Sequence, residues 1–173
     1  MRTKKIRLLI AIVSGILLIG MLGIYITLSQ MGNQTEKTTA RYSATVDTVE
    51  VNQSRRKMHI EIFVKEFSNS FYISENISQS INLDDITALQ SGDTVFFSIE
   101  SDYVDQMNQA FFVPIIALET ENMQLLSLEQ YNHIIKQTLL PSQIACAIIA
   151  ILFLTVAVIS ACSLRKQCRK KPL

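Results

Sequence analysis

Two stretches of this chain carry no charge over 21 residues each: "LLIAIVSGILLIGMLGIYITL" from Leu8 to Leu28 and "IACAIIAILFLTVAVISACSL" from Ile144 to Leu164. As helices rising 1.5 Å per residue they are roughly 31 Å long, which matches a bilayer hydrocarbon core of about 30 Å. A core helix of a soluble protein shows a polar stripe, and neither run has one. The sequence therefore predicts two transmembrane helices, at 8–28 and 142–164. The first run exceeds the roughly 7–15 apolar residues of a signal peptide, and no A-x-A-like site follows it, so an uncleaved anchor is expected.

The placement of charge orients these helices. Four cations precede the first run (Arg2, Lys4, Lys5 and Arg7), and five follow the second (Arg165, Lys166, Arg169, Lys170 and Lys171), giving +9 at the ends. All 15 acids fall between Glu36 and Glu129, and the other seven cations lie between Lys37 and Lys136, giving −8 in the middle. Cytoplasmic flanks of membrane helices are enriched in Lys and Arg. Segments 1–7 and 165–173 are therefore expected in the cytoplasm of a plasma membrane, with the centre of the chain outside. The nine basic residues act as topology determinants, and membrane lipid is an expected partner. Cys146, Cys162 and Cys168 all lie in or beyond the second run, so no disulfide framework is expected in the central part.

Residues 29–40 read as a polar linker. The next 86 residues, 41–126, read as a mainly-β domain, and 127–140 as a juxtamembrane helix ending at Pro141. "RYSATVDTVEV" alternates with a slip near Asp47, the mark of a bulge. "KMHIEIFVKEF" alternates, with Met58, Ile60, Ile62 and Val64 on one face. "FYIS" is a third strand. "INLDDITALQSGD" has helical spacing, with Asn82 or Asp84 to cap it and Gly92 to end it. "TVFFSIE" and "AFFVPIIALET" are strands, and Pro114 marks an edge or bulge in the second. Ser127 and Gln130 fit a capping box. The order β-β-β-α-β-β predicts a small OB-like or SH3-like barrel.

The segments "ITALQSGDTVFFSIE" and "ALETENMQLLSLEQYN" are similar to segments of uncharacterised two-span membrane proteins of Gram-positive bacteria. That resemblance implies a β-rich outer domain and a bacterial plasma membrane, and no known activity.

Chemistry-bearing motifs are sparse. Gly-rich phosphate loops, H-E-x-x-H and Cys/His metal spacings are missing from the sequence. His59 alternates away from the apolar face of its strand, and His133 falls on the juxtamembrane helix. Asp84, Asp85, Asp93, Glu100, Asp102 and Asp105 form the most acidic stretch, without EF-hand spacing. No catalytic residue, cofactor or metal is predicted. The charge of −8 argues against nucleic acid as a partner. The expected function is a non-enzymatic surface module that binds or scaffolds another envelope protein, and self-association is compatible with it. The alternatives are a transporter or channel subunit and, below that, an envelope enzyme. Ala11 with Gly15 and Ala157 with Ala161 form small-xxx-small pairs at matching depth, which predicts that they form the helix crossing.

Overall fold

The computed structural model describes residues 2–54, 57–105, 107 and 112–169. Two apolar helices flank a seven-stranded, mainly-β domain. Helix α1 runs Arg2–Gln30. The strands are β1 (Thr39–Ser54), β2 (Lys57–Val64), β3 (Ser70–Ile73), β4 (Thr94–Glu100), β5 (Phe112–Pro114), β6 (Ala117–Thr120) and β7 (Gln124–Leu126). Helices α2 (Glu75–Ser78) and α3 (Leu83–Thr87) lie between β3 and β4, and α4 runs Leu128–Arg169. The chain divides into two compact units, one of residues 31–138 and one formed by the two apolar helical segments.

The β-domain is organised by the length of β1. Its first half, Thr39–Thr45, pairs antiparallel with β4, and its second half pairs antiparallel with β2. The register slips between Val46 and Thr48, where the alternation broke in the sequence. A bulge there bends the strand, so one strand serves both halves of the sheet. At the bend the backbone of Val46 is taken up by the turn before β4: its N–H reaches the Asp93 carbonyl at 2.8 Å, and its carbonyl accepts from Gly92 N–H at 2.9 Å. Gly92 has φ +104°, a conformation that favours glycine. It lies in this turn, beyond the end of α3. Asn82 is the residue that caps α3, accepting from Asp84 N–H.

The expected single strand "AFFVPIIALET" is two strands with different partners. β5 pairs parallel with β3, and β6 pairs antiparallel with β4. Successive N–H groups of an extended chain point to opposite sides, and here the Ile115 N–H reaches the Tyr72 carbonyl of β3 while the Ile116 N–H reaches the Ser98 carbonyl of β4, each at 2.9 Å. These two residues join the ends of the sheet, so β1, β2, β3, β5–β6 and β4 form a ring. Pro114, which has no N–H to donate, sits where the strand changes partner. Strand β7 was not foreseen. It adds to β6 as a short hairpin.

Alternation fills the ring. Ala44, Val46, Ile60, Ile62, Val64, Phe71, Ile73, Val95, Phe97 and Ile99 are buried, and their strand neighbours are more exposed, apart from Ser70 of β3, which is buried as well. Phe71 and Phe97 meet at the centre with ring centroids 4.5 Å apart, and Tyr42 stacks on Phe97 at 5.8 Å. Helices α2 and α3 add Ile77 and Ile86 to the core. The start of α4 adds Ile134, with Tyr131 and Ile135 beside it, so residues 128–138 pack as part of the β-domain.

Helix α4 departs from the expected joint at Pro141, because it runs through the proline without a break. The missing N–H removes one helical hydrogen bond, and the long apolar stretch on the far side retains its own ladder. Half of the capping box forms at its start: Ser127 Oγ accepts from Gln130 N–H at 2.9 Å, while the Gln130 amide donates to the Ser80 carbonyl instead.

Candidate functional site

The segment expected to be a linker is held against the start of α4. Asn132 clasps the backbone of Gln34 from both sides, accepting from its N–H at 2.9 Å and donating to its carbonyl at 2.7 Å. Gly32 makes the approach close enough, with φ +74° and positions where a Cβ would stand 3.1 Å from the Asn132 carbonyl oxygen and from Ile135 Cγ2. Gly32→Ala is expected to cost about 1–2 kcal/mol from the left-handed conformation alone, measured as a lower urea midpoint for the β-domain. An unchanged midpoint would mean that this contact is dispensable.

The Gln34 side chain accepts from Thr38 Oγ1 at 2.8 Å, which leaves its amide hydrogens to donate to Glu100 at the end of β4. Tyr131 of α4 donates to the same carboxylate, and Tyr72 of β3 and Tyr103, just after β4, are close enough to feel its charge. Burial, and next the charge of Asp102, push the Glu100 carboxyl above the usual range, and the two hydrogen bonds pull it partly back. Burial pushes Tyr131 up to about 12, with Glu100 as the next cause. Burial likewise raises Tyr72. A half-buried carboxylate thus sits where the segment entering the domain, the segment leaving it and two strands converge.

A second feature is a groove of about 410 Å³ on the outer face of β1, β4 and β6. The pairing Arg41↔Ser98↔Ala117 sets small residues on its floor. Arg41 lies 5.5 Å over the Phe96 ring and pairs with Glu119. Leu126, Leu128, Gln124 and Glu36 also line it. Its size lies within the usual range for small-ligand sites, and it mixes both signs of charge with an aromatic surface.

The residues singled out in the sequence fall elsewhere. His59 lies on the outward face of β2, with Nε2 3.0 Å from Glu61 Oε1, and Asn52 donates to the same oxygen at 2.9 Å. His133 is exposed. Of the acidic stretch, Asp93 caps its own turn by accepting from Gln90 N–H, and Glu100 with Asp102 form part of the junction above. Among the described residues no group of three His, Cys, Asp or Glu is placed to hold a metal ion.

Among the described residues of the helical unit, Ser14 and Ala150 are the most covered, at 6% and 8% exposure. Gln143 Nε2 donates to the Leu28 carbonyl at 3.1 Å, which brings these two positions of the helices side by side. Equal steps back from Leu28 and onward from Gln143 bring Met21 level with Ala150, Leu18 with Phe153, Ser14 with Ala157 and Ala11 with Ser160. All eight are partly or fully covered. The expected pairs 11/161 and 15/157 lie one residue from these levels, a step within the reach of the Gln143 side chain. Ala161 is exposed, and nothing lies within 4 Å of where a Gly15 Cβ would be. Of the topology determinants, Lys5 is exposed. Arg2, Lys4, Arg7, Arg165, Lys166 and Arg169 lie on α1 and α4, and Lys170 and Lys171 fall outside the described residues.

No family model and no curated protein matches the sequence. A solved structure, the crystal structure of yeast Stn1 and Ten1, matches 64% of this chain and 55% of that one, at 12% identity and a TM-score of 0.34. The expectation that nucleic acid is excluded as a partner is not kept. Its premise was a summed charge, and a sum does not fix the potential of any one face. Three of the seven central cations, Arg55, Arg56 and Lys57, are consecutive in sequence.

Proposed function

We propose that the protein is a membrane-anchored binding module. Helices α1 and α4 span a plasma membrane, both termini are cytoplasmic, and the β-domain is presented outside, where it binds another envelope protein without catalysing a reaction. The observation that carries this reading is the mixed groove at Arg41, Phe96 and Glu119, on a domain tethered on both sides by helices long and apolar enough to cross a membrane. The outward faces of those helices carry large apolar side chains such as Ile19, Ile151 and Ile159, more than 60% exposed, which favours lipid as their surroundings. The connectivity supports an OB-type barrel over an SH3-like one: a shared β1, a parallel β3–β5 pair and helices between β3 and β4.

Two measurements test the reading. Alkaline phosphatase fused after Ala40 should be active, and fused after Leu173 inactive, because the positive-inside rule places the two basic ends together. A photo-crosslinking residue at Gln124, in the groove, should give a discrete protein adduct in native membranes. The same residue at Glu50, on another face, should not. Equal labelling from both positions, or none from Gln124, would remove the groove as the binding surface.

A further inference from the structure

We propose that the groove of the β-domain takes a lysine- or arginine-bearing segment of a partner protein, an assignment that rests on reading this groove as the binding surface.

The outer face of β1, β4 and β6 already holds one such side chain. Arg41 lies over the Phe96 ring at 5.5 Å and pairs with Glu119. An aromatic face beside a carboxylate attracts a cation, and here the domain fills the place itself. The carboxylates around it outnumber that cation. Glu36 stands on the same groove, and a second hollow of about 310 Å³ is lined by Asp93, Thr94 and Glu121. Thr94 is two residues before Phe96 on β4, and Glu121 is two residues after Glu119, so the second hollow follows the first along the same strands. Among the described residues that line the two hollows, Arg41 is the one cation against four acids. Glu36 and Glu121 are exposed and have no ion pair among the described residues.

These charges select the occupant. An acidic segment would meet like charge at both ends of the face. An apolar one would cover carboxylates without pairing them, which costs free energy. Lys and Arg join an apolar stem to a charged head. Phe96, Leu126 and Leu128 line the groove beside the stem, and Glu36 and Glu121 stand where the head emerges. At longer range the central stretch, with seven cations and 15 acids, attracts a basic partner.

The probe is a fluorescent peptide of alternating Lys and Ser, titrated by anisotropy against the full chain in nanodiscs of zwitterionic lipid. It should bind, and a peptide of alternating Glu and Ser should not. Glu36→Gln with Glu121→Gln should weaken binding about three- to ten-fold, the effect of two exposed charge pairs. Glu50→Gln with Glu75→Gln changes the net charge equally on β1 and α2 and should alter binding less than about two-fold. Arg41→Gln vacates the place over Phe96 and should tighten binding. Raising salt from about 0.1 M to about 1 M should weaken it. Equal losses in the two double variants, equal binding of the two peptides, or weaker binding by Arg41→Gln would overturn the basic occupant. The two readings fail separately. Lost charge preference alongside a Gln124 adduct in native membranes overturns this proposal alone, whereas a missing Gln124 adduct removes the groove and this proposal with it.

Discussion

Phe97→Ala is expected to remove about 3–5 kcal/mol from the β-domain, the range for truncating a buried aromatic. That is a large share of the roughly 5–15 kcal/mol typical of a domain. Phe97 is 2% exposed and touches three rings: Phe71 at 4.5 Å, Tyr42 at 5.8 Å and Phe67 at 6.4 Å. Removing it leaves a cavity at the centre of the ring, between β1, β3 and β4, which small shifts of rigid strands do not fill. Phe96, one residue earlier, points outward under Arg41, and Phe96→Ala should cost on the order of 1 kcal/mol or less. Urea unfolding of the full chain in micelles, followed by tyrosine fluorescence, compares the two. Similar losses for both would mean that the inward and outward faces are wrongly assigned.

Cysteines at Ser14 and Ala157, in a background lacking Cys146, Cys162 and Cys168, are expected to crosslink within one chain almost completely on oxidation. Ser14 is the most covered of the described side chains of α1, and counting from the Gln143–Leu28 hydrogen bond brings Ala157 opposite it. Cysteines at Ile12 and Ile159 stand at equal depth on outward faces, 51% and 63% exposed, and should crosslink little. The pair 11/161 should fall between them, since Ala161 is exposed and Ala11 is half-covered. Preferential crosslinking of 11/161 over 14/157 would restore the one-step-shifted register. Crosslinks only between chains would mean that the covered stripe serves self-association.

The sequence by itself determined the elements governed by local periodicity. The two uncharged runs became helices because a helix satisfies its own backbone whatever surrounds it. The inward residues of β1, β2 and β4 were legible from strict alternation, and so was the bulge near Asp47, because a slip in that alternation is the bulge. Capping by Asn82 and Ser127 was legible for the same reason: the donor and acceptor lie within three residues.

Tertiary structure decided what depends on contacts across sequence distance. Whether "AFFVPIIALET" was one strand or two rested on which edges received the Ile115 and Ile116 N–H groups, and those edges belong to β3 and β4. Whether Glu100 was one more solvated acid or the centre of a junction rested on Gln34 and Tyr131, which are 66 and 31 residues away from it. The small-residue pairs showed that two helices are able to approach closely. They left the register open, because small residues at i and i+4 do not say which residue of the other helix stands opposite. A hydrogen bond between Gln143 and Leu28, 115 residues apart, joins the two helices, and its partner is not legible from either helix alone.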